Sequence, residues 1–272
     1  MKNVSVLTIK NNIKKIYLLA GFLVTALILG ACATTESKED QTAETVFTKA
    51  MQKFKDEDYF EAQKLFDMMR LQYPASDYAD DAQFYLAETN FKRKEYILAA
   101  FNYGQLRRVH PHSPFYQQCL YKTAQCYVEM SPSYEREQDY TLKAIRTLTE
   151  YQTLYPSDTS YAAASELIEV MRDKLAHREY ATALLYLKLH SYHSSVIYYD
   201  SVIDSYPDSK YFELSYFGKI DAYFTMKKYE EALGVIDFYK KLFPKGKFLN
   251  EIKDIETEIA AAEKETKTDQ SK

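Results

Sequence analysis

The chain has 272 residues, 35 Lys and Arg against 39 Asp and Glu, and only six glycines, a length that permits one large domain or two ordinary ones. Gly21 and Gly30 lie in an N-terminal apolar run, which leaves Gly104, Gly218, Gly234 and Gly246 for the rest. Phosphate-cradling loops, nucleophile elbows and tight hairpins use glycine for positive φ or close approach, so this composition disfavours most nucleotide-binding enzymes and most β-sandwiches. The 26 Tyr and 15 Phe, with no Trp, predict amphipathic rings packed between elements.

Lys2, Lys10, Lys14 and Lys15 precede the apolar run Ile16 to Ala31. Charge followed by a short apolar stretch ending in small residues is the pattern of a secretory signal peptide, and the run falls short of the roughly 20 residues that span a bilayer. It ends Leu29-Gly30-Ala31-Cys32, which resembles the lipobox of bacterial lipoproteins. That resemblance implies cleavage before Cys32 and a lipid-bearing cysteine (N-acyl, S-diacylglycerol) at the new N-terminus, with residues 1–31 as the signal peptide. Removal of four lysines leaves 31 Lys and Arg against 39 Asp and Glu, a formal net charge of −8, which makes nucleic acid a poor partner. Residues 32–43 then read as the lipidated end and a polar tether.

The stretch holding Cys119 and Cys126 reads as helix. Seven residues of helix separate Cα atoms by about 10 Å, beyond the reach of a disulfide, so the pair is expected as buried thiols on adjoining turns of one face.

From residue 44 to 246 the chain repeats. Five prolines each follow an aromatic residue or His: Tyr73-Pro74, His110-Pro111, Tyr155-Pro156, Tyr206-Pro207 and Phe243-Pro244. Twelve residues before each proline stand Ala62, Ala99, Ala144, Ser195 and Ala232. Eight before come Phe66, Tyr103, Leu148, Tyr199 and Ile236, and five before come Met69, Leu106, Tyr151, Val202 and Tyr239. These offsets share one helical face. Fifteen before the prolines are Tyr59, Tyr96, Thr141, Tyr192 and Tyr229, and two after them Ser76, Ser113 and Ser209 are suited to N-cap the next helix, with Pro114 at a first helical position. Each unit is therefore helix A, a turn, helix B and a proline stop.

The proline spacings are 37, 45, 51 and 37. The extra residues before Pro156 fall in Met130 to Asp139, whose Ser-Pro-Ser is a loop signal. Those before Pro207 fall in a stretch without Gly or Pro, read as one long helix from about Ser160 to His190. Residues 247–272 read as a last helix and a polar tail.

The units resemble the tetratricopeptide repeat, most closely at Leu86 to Ala100 (LAETNFKRKEYILAA) and Ala222 to Leu233 (AYFTMKKYEEAL). That implies an all-α, right-handed solenoid of about five helix pairs with a C-terminal capping helix. Lipobox, tether, five repeats and the junctions Pro74-Ala-Ser-Asp-Tyr78, Pro111-His-Ser-Pro-Phe115 and Pro207-Asp-Ser-Lys-Tyr211 together resemble the BamD family of outer-membrane assembly lipoproteins. The resemblance implies a non-catalytic scaffold on the periplasmic face of the outer membrane. Its implied partners are a BamA-like barrel insertase, unfolded outer-membrane proteins recognised by aromatic-ended C-terminal segments, and accessory assembly lipoproteins; no cofactor is implied beyond the lipid.

In such repeats helix A usually lines the groove. Ten residues after a junction proline stand Phe84, Tyr121 and Phe217, with Phe47 in the matching place, and seven further on are Phe54, Phe91 and Phe224. With Glu44, Asp81, Glu88, Gln118 and Gln125 interleaved, this face suits an extended segment carrying aromatic side chains. Inter-repeat core is the other reading of the same spacing. Phe47, Phe54, Phe84, Glu88, Phe91, Tyr121 and Gln125 are the candidate peptide groove. Phe217, Lys219, Phe224, Lys227 and Lys228, in a locally basic C-terminal part, are a candidate face for an acidic partner domain. His110, His112, His177, His190 and His193 form no metal-ligand pattern, and no Gly-x-Ser-x-Gly elbow or Gly-rich phosphate loop occurs. Two rivals share the anchor and repeats: another lipid-anchored periplasmic scaffold, for division or cell-wall synthesis, and a glycan-binding surface lipoprotein. Ser37-Lys-Glu-Asp40 resembles a surface-export tract, whereas the lack of Trp disfavours sugar stacking.

Overall fold

The computed structural model describes residues 42–270. The signal peptide, Cys32 and most of the tether lie outside the described residues. Among those described, eleven α-helices follow one another with no strand: α1 Ala43–Lys55, α2 Tyr59–Gln72, α3 Ala79–Lys92, α4 Tyr96–Val109, α5 Tyr116–Met130, α6 Asp139–Leu154, α7 Tyr161–Lys188, α8 Tyr192–Ser205, α9 Phe212–Thr225, α10 Tyr229–Leu242 and α11 Leu249–Gln270. Each helix packs chiefly on its chain neighbours, which makes an α-solenoid of five pairs closed by α11.

The three columns read upstream of the prolines are the core. Ala62, Ala99, Ala144, Ser195 and Ala232 are completely buried, as are Phe66, Tyr103, Leu148 and Ile236, with Tyr199, Met69, Leu106, Tyr151, Val202 and Tyr239 at most 2% exposed. Small residues in the first column let helices A and B approach; the second and third fill the space between them. α7 has 28 residues against 14 in its regular counterparts, and residues 131–138 form the loop joining α5 to α6.

Four of the five turns between helix A and helix B put a charged or imidazole side chain in the left-handed region: Glu57, Lys94, His190 and Lys227, at φ between 57° and 61°. Each ends its helix in a Schellman motif. At the first, Glu57 N–H donates to Phe54 O at 3.2 Å and Asp58 N–H to Lys53 O at 2.9 Å, and the same pair of bonds recurs at the other three. The chain thus turns four helix ends without the glycine such a position favours.

The junction serines do not cap the following helices. α3, α5 and α9 start three residues later, with Tyr78, Phe115 and Tyr211 at the N-cap and no side-chain cap bond. Ser76, Ser113 and Ser209 instead form a preceding turn, in which their carbonyls accept from Ala79, Tyr116 and Phe212 N–H. Pro114 lies in that turn, outside α5. The junction needs the extra turn because its aromatic residue has a packing role.

Candidate functional site: the helix A face

Each junction aromatic folds back on helix A of the repeat before it. Phe47 stacks on Tyr78 with centroids 4.9 Å apart, Phe84 on Phe115 at 4.2 Å, and Phe217 on Phe248 at 4.4 Å, all within 21° of parallel. Phe47, Phe84 and Phe217 each lie ten residues before a positive-φ turn residue. In the long repeat that place belongs to Tyr180, whose ring is 5.3 Å from Tyr211; His177, one turn earlier, stacks on Tyr211 at 4.9 Å and 5°. Phe47, Phe84 and Phe217 are therefore mortar between repeats, whereas Tyr121 of the same column packs on Tyr151 of its own repeat. Phe84, 5% exposed, has no surface to offer an incoming segment, which corrects its place in the candidate groove.

The remaining groove candidates are half-buried. Phe54 meets Tyr59 and Tyr85 edge-on at 5.7 and 5.4 Å, Phe91 meets Tyr96 at 5.3 Å, and Tyr121 tilts against Tyr151 at 5.2 Å. Gln125 sits against the Tyr121 hydroxyl, whose pKa is raised chiefly by burial.

Glu88 is a pivot. Its carboxylate accepts from the Tyr103 hydroxyl and meets Lys122 Nζ at 2.9 Å, joining α3, α4 and α5, while Lys122 Nζ also lies 5.5 Å from the Phe91 ring centre. Burial, reinforced by the Glu88 charge, holds the Tyr103 hydroxyl far above its ordinary value and pushes the thiols of Cys119 and Cys126 up to about 12. Both cysteines are free and fully buried in the core that includes Phe84 and Tyr103. Neither is poised as a nucleophile.

In the C-terminal part the structure splits the candidate partner face. Phe217 and half-buried Phe224 share a side of α9, Phe224 lying 6.2 Å from Tyr229. Lys219 turns away to α8, where Nζ pairs with Asp200 at 2.5 Å. Lys227 is the positive-φ turn residue and Lys228 meets Glu231 at 3.6 Å, so these lysines belong to the turn edge.

Sequence reading missed Asp221. It is half-buried between Phe217 and Phe224 on α9, has no hydrogen bond or ion pair among the described residues, and desolvation raises its pKa. The signal was present: Asp221 stands fourteen residues after Pro207, as Glu88 does after Pro74 and Gln125 after Pro111. Asp81, raised by burial and by Asp80, is a second partly desolvated acid on helix A. A carboxylate stripped of water without a partner is a strong acceptor for backbone N–H groups. Among the described residues no cluster of three or more His, Cys, Asp and Glu is placed to hold a metal, and no helix is long and apolar enough to cross a membrane.

Residues 39–217 match the family described as YfiO, outer membrane lipoprotein. The chain belongs to this family. Among its relatives are three proteins named outer membrane protein assembly factor BamD. That of Caulobacter vibrioides is 25% identical over 79% of this chain and 72% of its own. That of Neisseria meningitidis serogroup B is 24% identical over 83% and 91%, and that of Rickettsia prowazekii 23% over 79% and 86%. A solved tetratricopeptide repeat protein from Parabacteroides merdae aligns with 83% of this chain and 88% of its own, at 18% identity and a TM-score of 0.37, too distant a likeness to add to the YfiO assignment.

Proposed function

We propose that this YfiO-family chain is a lipid-anchored, non-catalytic scaffold in the assembly of outer-membrane β-barrel proteins, held at the periplasmic face through Cys32. It engages the barrel insertase and receives the aromatic-ended C-terminal segments of unfolded outer-membrane proteins. The observation that carries this reading is the family match over most of the repeat region, together with relatives that all bear an assembly-factor name. Supporting it, the helix A face presents half-buried Phe54, Phe91 and Tyr121 beside Glu88 and Gln125, with Asp221 on the same register of the C-terminal part. Rings accept apolar side chains, and the partly desolvated acids accept main-chain N–H groups of a segment in extended form.

The test is mild detergent extraction of envelopes containing a C-terminally tagged chain, followed by identification of stoichiometric partners. Recovery of a large β-barrel protein with tandem periplasmic domains is expected. Recovery of cell-wall enzymes or glycan transporters without that barrel would overturn the reading in favour of another anchored scaffold.

A further inference from the structure

A cleft of about 250 Å³ lies between the end of α2, the Pro74 junction, α3 and α4. Two amide side chains line it, Gln83 of α3 at 6% exposure and Asn102 of α4 at 8%. They are locked together: Gln83 Nε2 donates to the Asn102 carbonyl at 3.0 Å and to Asn102 Oδ1 at 3.1 Å. Gln83 Oε1 and Asn102 Nδ2 make no hydrogen bond among the described residues, and neither belongs to the fully enclosed unpaired atoms. Water reaches them through the cleft. Both atoms can therefore exchange water for the polar groups of a ligand at little cost.

One free acceptor and one free donor on two immobilised amides match the N–H and C=O of a peptide unit. Part of the bank is apolar, beside Arg70, Gln105 and His110: Phe101 is 56% exposed and Val109 60%, two turns apart on α4. Eight helical residues span about 12 Å, close to the roughly 13 Å between residues i and i+4 of an extended chain. The geometry points to a second binding site, for an extended segment of a partner polypeptide about five residues long, with its main chain read by Gln83 and Asn102 and its apolar side chains laid on Phe101 and Val109. None of the helix A groove candidates lines this site, and it does not depend on what that groove binds.

The test places the photo-crosslinking residue p-benzoylphenylalanine at Val109 of the full chain in intact envelopes, with the same probe at Gln125 as a control on the helix A face. Expected is a polypeptide adduct whose crosslinked fragments map to one short stretch of one partner. Phe101→Glu, which leaves the amides in place, and Asn102→Asp, which exchanges the free donor for an acceptor, should each lower its yield at least tenfold. Phe101→Glu acts on an exposed side chain, so it remains informative if Asn102→Asp impairs folding. Adducts only to lipid, adducts scattered over many proteins, no adduct while the Gln125 probe does crosslink, or a yield indifferent to Phe101→Glu would each overturn the proposal.

Discussion

At the ends of repeats 1, 2 and 5 a pair of near-parallel rings closes the junction, whereas at the end of repeat 3 a single carboxylate does so. Pro74, Pro111 and Pro244 are followed four residues later by Tyr78, Phe115 and Phe248; Pro156 is followed by Ser160. There Asp158 takes over: it accepts from the Tyr151 hydroxyl, from Ser160 N–H at 2.7 Å and from Gln117. The difference teaches a rule inside the repeat. Where the residue five before the proline is Met69, Leu106 or Val202, the residue two after it is Ser; where it is Tyr151 or Tyr239, that partner is Asp158 or Gly246. A tyrosine hydroxyl projects into the junction, so the facing residue must accept from it or vanish: a Cβ on Gly246 would lie 2.4 Å from Tyr239 Oη.

Removing a ring should break the stacked type most severely. Phe84→Ala takes away a buried side chain stacked on Phe115 and packed on Tyr85 and Tyr103, so a loss of about 3–5 kcal/mol is expected by denaturant unfolding. Phe91→Ala, half-buried on the same face, should cost about 1–2 kcal/mol less than that. Equal losses at the two positions would show that the ring-on-ring junctions are not what distinguishes mortar from groove.

The carboxylate junction is tested by conversion. Tyr151→Leu alone takes one of its three donors from Asp158, and Asp158→Ser alone takes the carboxylate acceptor from a buried hydroxyl; each should cost about 1–3 kcal/mol. The double variant recreates the Leu106/Ser113 pairing, and its loss should fall about 1–2 kcal/mol short of the sum. The pH dependence has a fixed sign. The Tyr151 hydroxyl and Ser160 N–H hold Asp158 below its ordinary 3.8, so its contribution is complete above that value and disappears as pH falls through the depressed one. Asp158→Asn should therefore remove part of the stability lost on acidification below pH 3.8. Asp221 has the opposite sign: burial raises its pKa, so Asp221→Asn should stabilise at neutral pH, with a gain that fades on acidification.

The same contrast between ring and glycine appears beyond the long helix. A Cβ on Gly218 would lie 2.4–2.7 Å from Tyr199, a ring held by Tyr180, whereas one on Gly104 or Gly234 meets nothing within 4 Å. Gly218→Ala should destabilise by about 1–3 kcal/mol, and Gly104→Ala or Gly234→Ala should stabilise by about 0.5–1 kcal/mol, as thermal unfolding would show.

Much of this architecture was legible in the sequence because proline stops fix a register, and burial at helical spacing needs no tertiary knowledge. Ala62 through Ala232 and the two columns that follow are residue types whose volume alone dictates where they go. The long helix and the 131–138 loop were readable for the same reason: a fourteen-residue insertion keeps the buried face, and Ser-Pro-Ser cannot continue a helix. The site was less legible. Phe84, Tyr121 and Phe217 occupy one column, yet only the partner supplied by the next junction decides which is mortar, and that partner lies about thirty residues away. Ser76 and Ser113 looked like caps because capping chemistry is local, whereas the stacked Tyr78 and Phe115 next to the helix start are a long-range demand that displaces it. Asp221 escaped because an unpaired carboxylate is defined by neighbours it lacks.

The smallest effect concerns the turns, where the regular repeats and the third repeat differ again. Glu57, Lys94, His190 and Lys227 pay for positive φ at four turns, while the 131–138 loop has no such residue and is held by Gln138, whose Nε2 donates to Ser133 and Arg136 carbonyls at 2.8 Å. The left-handed conformation costs a residue with Cβ about 1–2 kcal/mol, and glycine gives back roughly half of the relief as entropy of the unfolded chain. Lys94→Gly or Lys227→Gly should thus stabilise by about 0.5–1 kcal/mol. Lys94 and Lys227 make no ion pair among the described residues, so the change removes little else. Gln138→Ala, by contrast, should destabilise, because it strands two carbonyls that no change of backbone preference can satisfy. A stabilised Lys94→Gly beside a destabilised Gln138→Ala would show that regular turns are limited by conformation and the inserted loop by hydrogen bonding. The same sign at both would mean that one economy governs every turn of the solenoid.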